Sequence, residues 1–205
     1  MSIGLEPGLT IPDFVLPDEE GTMHRLSDLQ GKNPMVLLLG RGEHCPRERQ
    51  HQRELLKFHE WCATALTELV TVVPNTLHDT KKLRMTTGAH WTFLADVDQE
   101  VQRTFDIEEY VDTHHETATV PHTLVLAPGL VIHKVYVGFW YWGRPSPYDL
   151  WADLRDLRRE INADFDPTVP AVRTAWFERH PEVKPRPAAR RARPAKRRRA
   201  KERVA

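Results

Sequence analysis

The stretch that most constrains the fold is Met35–Leu39, an unbroken apolar run closed by Gly40. A strand with one wet face alternates apolar and polar residues. A run without alternation suits a strand covered on both faces, as in a parallel or mixed sheet. A short polar turn follows, Arg41-Gly42-Glu43-His44, and then Cys45 and Pro46. Proline suits the first position of a helix, where its missing N–H costs nothing. Beyond it, Leu55, Phe58, Trp61, Cys62, Ala65, Leu66 and Leu69 recur at helical spacing. The spacing predicts a strand, a turn and one long helix, with a thiol at the helix N-terminus.

The remaining elements fall around this unit. Phe14-Val15-Leu16 reads as a short strand, and Thr22 to Leu26 returns antiparallel after the turn at Asp18–Gly21. Ser27 is the expected cap of a short turn before Gly31. Leu69–Val73 is a second buried strand, Thr76 to Met85 a helix ending near Gly88, Trp91–Ala95 a third strand, and Asp98 to Phe105 a short helix. Residues 106–119 read as polar and irregular. Thr123–Leu126 and Leu130–Gly138 flank the turn Ala127-Pro128-Gly129 as a hairpin. Ser146 caps a final helix from Pro147, whose buried face is Leu150, Leu154, Leu157 and Ile161. Right-handed crossovers make the first strands parallel and put the hairpin at one side of the sheet.

Charge divides the chain. Lys184–Arg203 holds 11 Lys/Arg and one acid, Glu202, for a charge of +10. The rest, with 18 basic and 28 acidic residues, carries −10. The expected organisation is a folded domain over residues 1–165, an extension over 166–183, and a disordered basic tail over 184–205. No apolar run approaches the ~20 residues needed to span a bilayer. Two cysteines are too few for a disulfide framework or a Cys-based zinc site. The 11 histidines, including His114-His115, show no standard metal spacing. No metal, no cofactor and no membrane are expected, and a reducing, cytoplasmic location is the default.

Cys45 is the first candidate for chemistry. The free N–H groups and dipole of a helix N-terminus favour a thiolate over a thiol. Arg41, His44, Arg47 and Arg49 add positive charge nearby, whereas Glu48 opposes it or caps the first turn. A thiolate can attack a peroxide O–O bond and become a sulfenic acid that another thiol must reduce. Cys62 lies 17 residues further along the same expected helix. At 1.5 Å per residue that is ~25 Å, too far for a disulfide, so it reads as a buried structural cysteine.

The order of elements is that of the thioredoxin fold: α/β, with a central mixed sheet and flanking helices. Pro12-Asp13-Phe14, Gly21-Thr22 and Leu26-Ser27-Asp28-Leu29 resemble the peroxiredoxin-like (AhpC/TSA) superfamily. Arg41-Gly42-Glu43-His44-Cys45-Pro46 resembles the RGxxCP stretch of bacterial redoxin-domain proteins. Pro121–His133 and Trp140–Ser146 are similar to the same subfamily. The resemblance covers roughly residues 7–165 and implies a thiol-dependent oxidoreductase, more narrowly a one-cysteine peroxidase acting through Cys45. It implies a peroxide or disulfide substrate and an external reductant, a low-molecular-weight thiol or a thioredoxin-like protein. A homodimer is a further expectation. The chain departs from the family at named positions. Gly42 stands where the family has Thr or Ser, Leu38 where it has Pro, and Pro121 where a strand carries Arg. Glu48 replaces the second cysteine of Cys-x-x-Cys.

Within the resemblance, Val120-Pro121 matches the cis-proline of thioredoxins, which would bring His122 beside the thiol as a donor or base. Arg41 and Arg144 are candidates for polarising a peroxide in place of the missing arginine. Two alternatives stay open: a non-catalytic binding protein on the same fold, and association with nucleic acid or an acidic partner through Lys184–Arg203.

Overall fold

The computed structural model describes residues 4–111, 118–138, 143–161 and 174. His114-His115, the aromatic run at 139–142, the extension and the basic tail lie outside the described residues. Residues 1–163 form one compact unit, and the fold is that of this unit. Its elements run β1 (Val15–Pro17), β2 (Met23–Arg25), α1 (Leu26–Gln30), β3 (Met35–Leu39), α2 (Pro46–Glu54), α3 (Leu56–Thr64), β4 (Glu68–Val73), α4 (Leu77–Thr87), β5 (Thr92–Ala95), α5 (Glu100–Thr104), β6 (Glu109–Tyr110), β7 (Ala118–Thr119), β8 (His122–Ala127), β9 (Val131–Val137) and α6 (Pro147–Ile161).

A five-stranded mixed sheet, ordered β5-β4-β3-β8-β9, forms the centre. The β4 strand runs parallel to both β3 and β5, whereas β8 is antiparallel to β3 and β9. The hairpin lies at one side, as the crossover rule predicts. Strand β3 is buried at every position. Its side chains alternate between two cores. Met35, Leu37 and Leu39 join Ile11, Leu26, Val101 and Phe105 on one face. Val36 and Leu38 join Leu55, Phe58, Leu83, Leu150 and Leu154 on the other. Helices on both faces of a mixed sheet give the thioredoxin-like α/β architecture.

Three local expectations are corrected. The long helix after Pro46 is two nine-residue helices meeting at Leu55. The break separates two buried faces: α2 buries Glu48, His51 and Gln52, whereas α3 buries Phe58 and Cys62. Ser27 does not cap α1. It lies inside the helix, and its N–H and hydroxyl donate to Asp13 at 3.0 and 2.7 Å, tying α1 to the N-terminal segment. Residues 106–119 include a small antiparallel pair, β6 with β7. Other signals hold: Ser146 accepts from Asp149 as a helix cap, and left-handed Gly88 ends α4; Thr76, read only as the first residue of its helix, accepts from Asp79 as its cap.

Gln30 clamps the β8–β9 turn from 100 residues away. Its side chain is 1% exposed, donates to the Ala127 carbonyl at 2.9 Å, and accepts from the Leu130 N–H at 2.9 Å. Gln30→Ala strands both buried groups and is expected to cost about 2–4 kcal/mol, read as a lower urea midpoint with unchanged slope.

Candidate active site

The turn between β3 and α2 is built by close approaches that require glycine. Gly40 continues the sheet, its N–H donating to the Val72 carbonyl at 2.8 Å. A Cβ there would meet the Glu48 carboxylate at 2.8 Å. Gly42 has φ +100°, and a Cβ there would overlap the Asn75 amide. That amide accepts from the Glu43 N–H at 2.9 Å. The absence of a Thr or Ser hydroxyl at this position thus has a steric and conformational cause.

Cys45 is the residue before α2, with extended backbone (φ −82°, ψ 113°) and Pro46 at the first helical position. Its N–H donates to the Gly42 carbonyl at 3.2 Å, closing the turn. The residue is 4% exposed, so the thiol sits in a slot. Arg41 Nη1 donates to Sγ at 3.8 Å. The Arg41 guanidinium also lies 5.2 Å over the centre of the Tyr110 ring, and β6 thereby supplies a wall that fixes the cation. His44 flanks the thiol in the turn, half-buried.

Glu48 occupies the centre rather than a helix cap. Its side chain is 2% exposed. One carboxylate oxygen accepts from Gln52 Nε2 at 2.7 Å. The other accepts from the Arg41 backbone N–H and from Arg144 Nη2, both at 3.3 Å. Arg144 therefore grips Glu48, and the cation bonded to Sγ is Arg41. Gln52 continues inward: Thr71 Oγ1 donates to its Oε1 at 3.4 Å, and Trp91 Nε1 donates to Thr71 Oγ1 at 2.9 Å. A buried polar chain thus runs from the thiol loop across the sheet face.

The hairpin contributes Pro121 and His122. No described peptide bond is cis, so Val120-Pro121 is trans, in contrast to thioredoxin's proline. Pro121 is buried, and its carbonyl accepts from the Gly138 N–H at 2.7 Å. His122 pairs with Leu39 in the sheet. Its Nδ1 donates to the Val120 carbonyl at 2.8 Å. Burial pushes the imidazole below its ordinary range, with the carbonyl bond partly offsetting. Sequence reasoning missed His51, Gln52, Thr71, Asn75 and Tyr110. One signal was available for the first two: residues 47–54 contain no apolar side chain, so a helix there can only press polar groups onto the sheet.

Cys62 is remote in character as well as in position. It belongs to the apolar cluster with Phe58 and Leu154. Burial, aided by Glu68, pushes its thiol up to about 12. It borders a cavity of about 470 Å³ lined also by His59, His90, Glu68 and Trp91, at the strand ends opposite Cys45. Both cysteines are free.

A thioredoxin-like sheet with a lone cysteine opening the helix after its central strand defines the class of thiol-dependent oxidoreductases. The AhpC/TSA family model matches residues 7–135, and the chain belongs to that family. No curated protein matches it in sequence. Among solved structures it is similar to peroxidoxin BcpB from Mycobacterium tuberculosis, at 20% identity and TM-score 0.64 over 75% of this chain and 97% of that one. It is also similar to the yeast mitochondrial 1-Cys peroxiredoxin, at 14% identity and TM-score 0.65 over 80% and 84% of the chains. Reduced Prx3 from Vibrio vulnificus, solved in complex with hydrogen peroxide, matches at 16% identity and TM-score 0.64 over 77% and 99%. No helix among the described residues is long and apolar enough to cross a membrane.

The two thiols are expected to separate under alkylation. At pH 8 the Cys62 thiolate is roughly one part in ten thousand, so native protein takes up one iodoacetamide per chain, at Cys45. Denatured protein takes up two. Rapid labelling of Cys62 in the native state, read by peptide mass, contradicts this assignment.

Proposed function

We propose that the chain is a one-cysteine peroxidase that reduces peroxides at Cys45 with an external thiol. The observation that carries this reading is the Arg41 guanidinium bonded to Sγ at 3.8 Å at the start of α2. Sγ thus stands at a helix start with a guanidinium as its hydrogen-bond donor.

In the reaction, the Cys45 thiolate attacks one peroxide oxygen and the O–O bond breaks. The leaving oxygen takes up a proton and departs as an alcohol or water, and Cys45 becomes a sulfenic acid. Arg41, already at the sulfur, stabilises charge moving onto the departing oxygen. One molecule of reductant thiol displaces water and forms a mixed disulfide. A second releases Cys45 and leaves as its own disulfide. The inert Cys62 is why the reductant comes from outside. A small thiol or a thioredoxin-like protein fits this scheme, and thiol resolution in the yeast mitochondrial 1-Cys peroxiredoxin runs via glutathione/thioredoxin systems.

Peroxide is expected to generate one sulfenic acid per chain, trapped by dimedone at Cys45, with turnover only on addition of thiol. Cys45→Ser abolishes both. Arg41→Ala, which removes a hydrogen bond from a charged donor, slows peroxide consumption roughly 10- to 100-fold. Wild-type protein that consumes peroxide with thiol yet never yields the trapped adduct overturns the scheme.

A second reading concerns partners. The +10 segment Lys184–Arg203 has no aromatic residue, which favours contact with phosphates over stacking on bases. Retention of the full chain on duplex DNA is expected to fall steeply between 50 and 200 mM salt, about 10³-fold or more for six or more phosphates. A chain ending at residue 183 is expected to show no such retention. Equal retention of the two chains removes this reading.

A further inference from the structure

We propose that His51 is a positioning residue for the thiol: its bond to the Pro145 carbonyl holds Arg144 on Glu48 and so fixes the loop that aims Arg41 at Cys45. The proposal rests on the Cys45 reading and names a residue that the sequence did not single out. His51 is 4% exposed. Its Nε2 lies 3.1 Å from the Pro145 oxygen. A carbonyl oxygen only accepts, so Nε2 carries the proton and the neutral ring has its lone pair on Nδ1. The bond spans 94 residues and joins α2 to the loop ahead of α6.

The consequence passes through four residues. Pro145 is bonded to Arg144, whose guanidinium is 3.3 Å from Glu48. The same Glu48 oxygen accepts the Arg41 N–H, and Arg41 Nη1 reaches Sγ. On its own helix His51 faces Glu48 and Glu54, and from the α6 side it faces Arg144. Burial, Glu48 and Arg144 act on the imidazole in that order. Burial and Arg144 push it down, Glu48 lifts it, and the net direction is below the ordinary 6.5. The ring is therefore neutral near pH 7. In acid it becomes a cation facing a guanidinium, both largely shielded from water.

The test uses the full chain and single-turnover reaction of reduced protein with hydrogen peroxide, followed by loss of the reactive thiol. His51→Ala is expected to slow this step roughly tenfold. His51→Gln, which keeps an N–H donor and does not titrate, is expected to recover to within about threefold of wild type. In an Arg144→Ala background, His51→Ala is expected to add less than about twofold, because both changes break one connection. The wild-type to His51→Gln rate ratio is expected to be flat above pH 6.5 and to fall below it. Independent, multiplying effects of the two alanine changes overturn the proposal. If the alanine variants do not fold, a His51→Gln protein more than about tenfold slower than wild type overturns it. Absence of peroxide reaction in the wild type itself condemns the Cys45 reading instead.

Discussion

The buried carboxylate of Glu48 is the interaction on which the thiol loop depends. A charge removed from water is tolerable only when opposite charge and hydrogen bonds surround it. Here Arg144, Gln52 and the Arg41 N–H supply them. Each donor comes from a different part of the chain: the β3–α2 turn, the second turn of α2, and the loop before α6. Satisfying one carboxylate therefore gathers the segments that the site requires. Gly40 belongs to the same constraint, since only a residue without Cβ lets the carboxylate approach the backbone this closely.

This arrangement gives physical content to the departures from the family pattern. The hydroxyl position is Gly42 because the turn needs a positive φ and because Asn75 fills the space a side chain would take. The arginine that a strand would carry is Pro121, and the cation at sulfur comes instead from Arg41, four residues before the thiol and braced on Tyr110. The second cysteine is Glu48, which binds the loop together rather than resolving an oxidised thiol. Three of the four departures, all but Leu38, are thus matched by local rearrangements of the thiol loop and its neighbours.

Much of the fold was legible because local chemistry and global topology agree. The apolar run Met35–Leu39, the cap Ser146, the glycine after α4 and the tight turn at Pro128-Gly129 each declare their element. The site was legible only at its centre. Cys45 announces itself by preceding Pro46 at a helix start, and Arg41 by proximity. Asn75 and Arg144 reach the turn from 32 and 96 residues away, and periodicity holds no record of such meetings. The break at Leu55 was hidden because neither Gly nor Pro marks it. What changes there is the chemistry of the buried face, and the polar helix before it reads as surface until the sheet is seen to cover it.

That polar face has a consequence for how the molecule fails. The α3 and α6 helices are held by Phe58, Leu150, Leu154 and Leu157, whose burial is indifferent to proton concentration. The α2 helix is held to the sheet and to the α6 loop by a carboxylate, an amide and an imidazole. Protons compete directly for the imidazole. Charging that ring disturbs the contacts of the thiol-bearing helix and leaves the apolar contacts of α3 and α6 untouched, so the two faces of one sheet answer differently to acid.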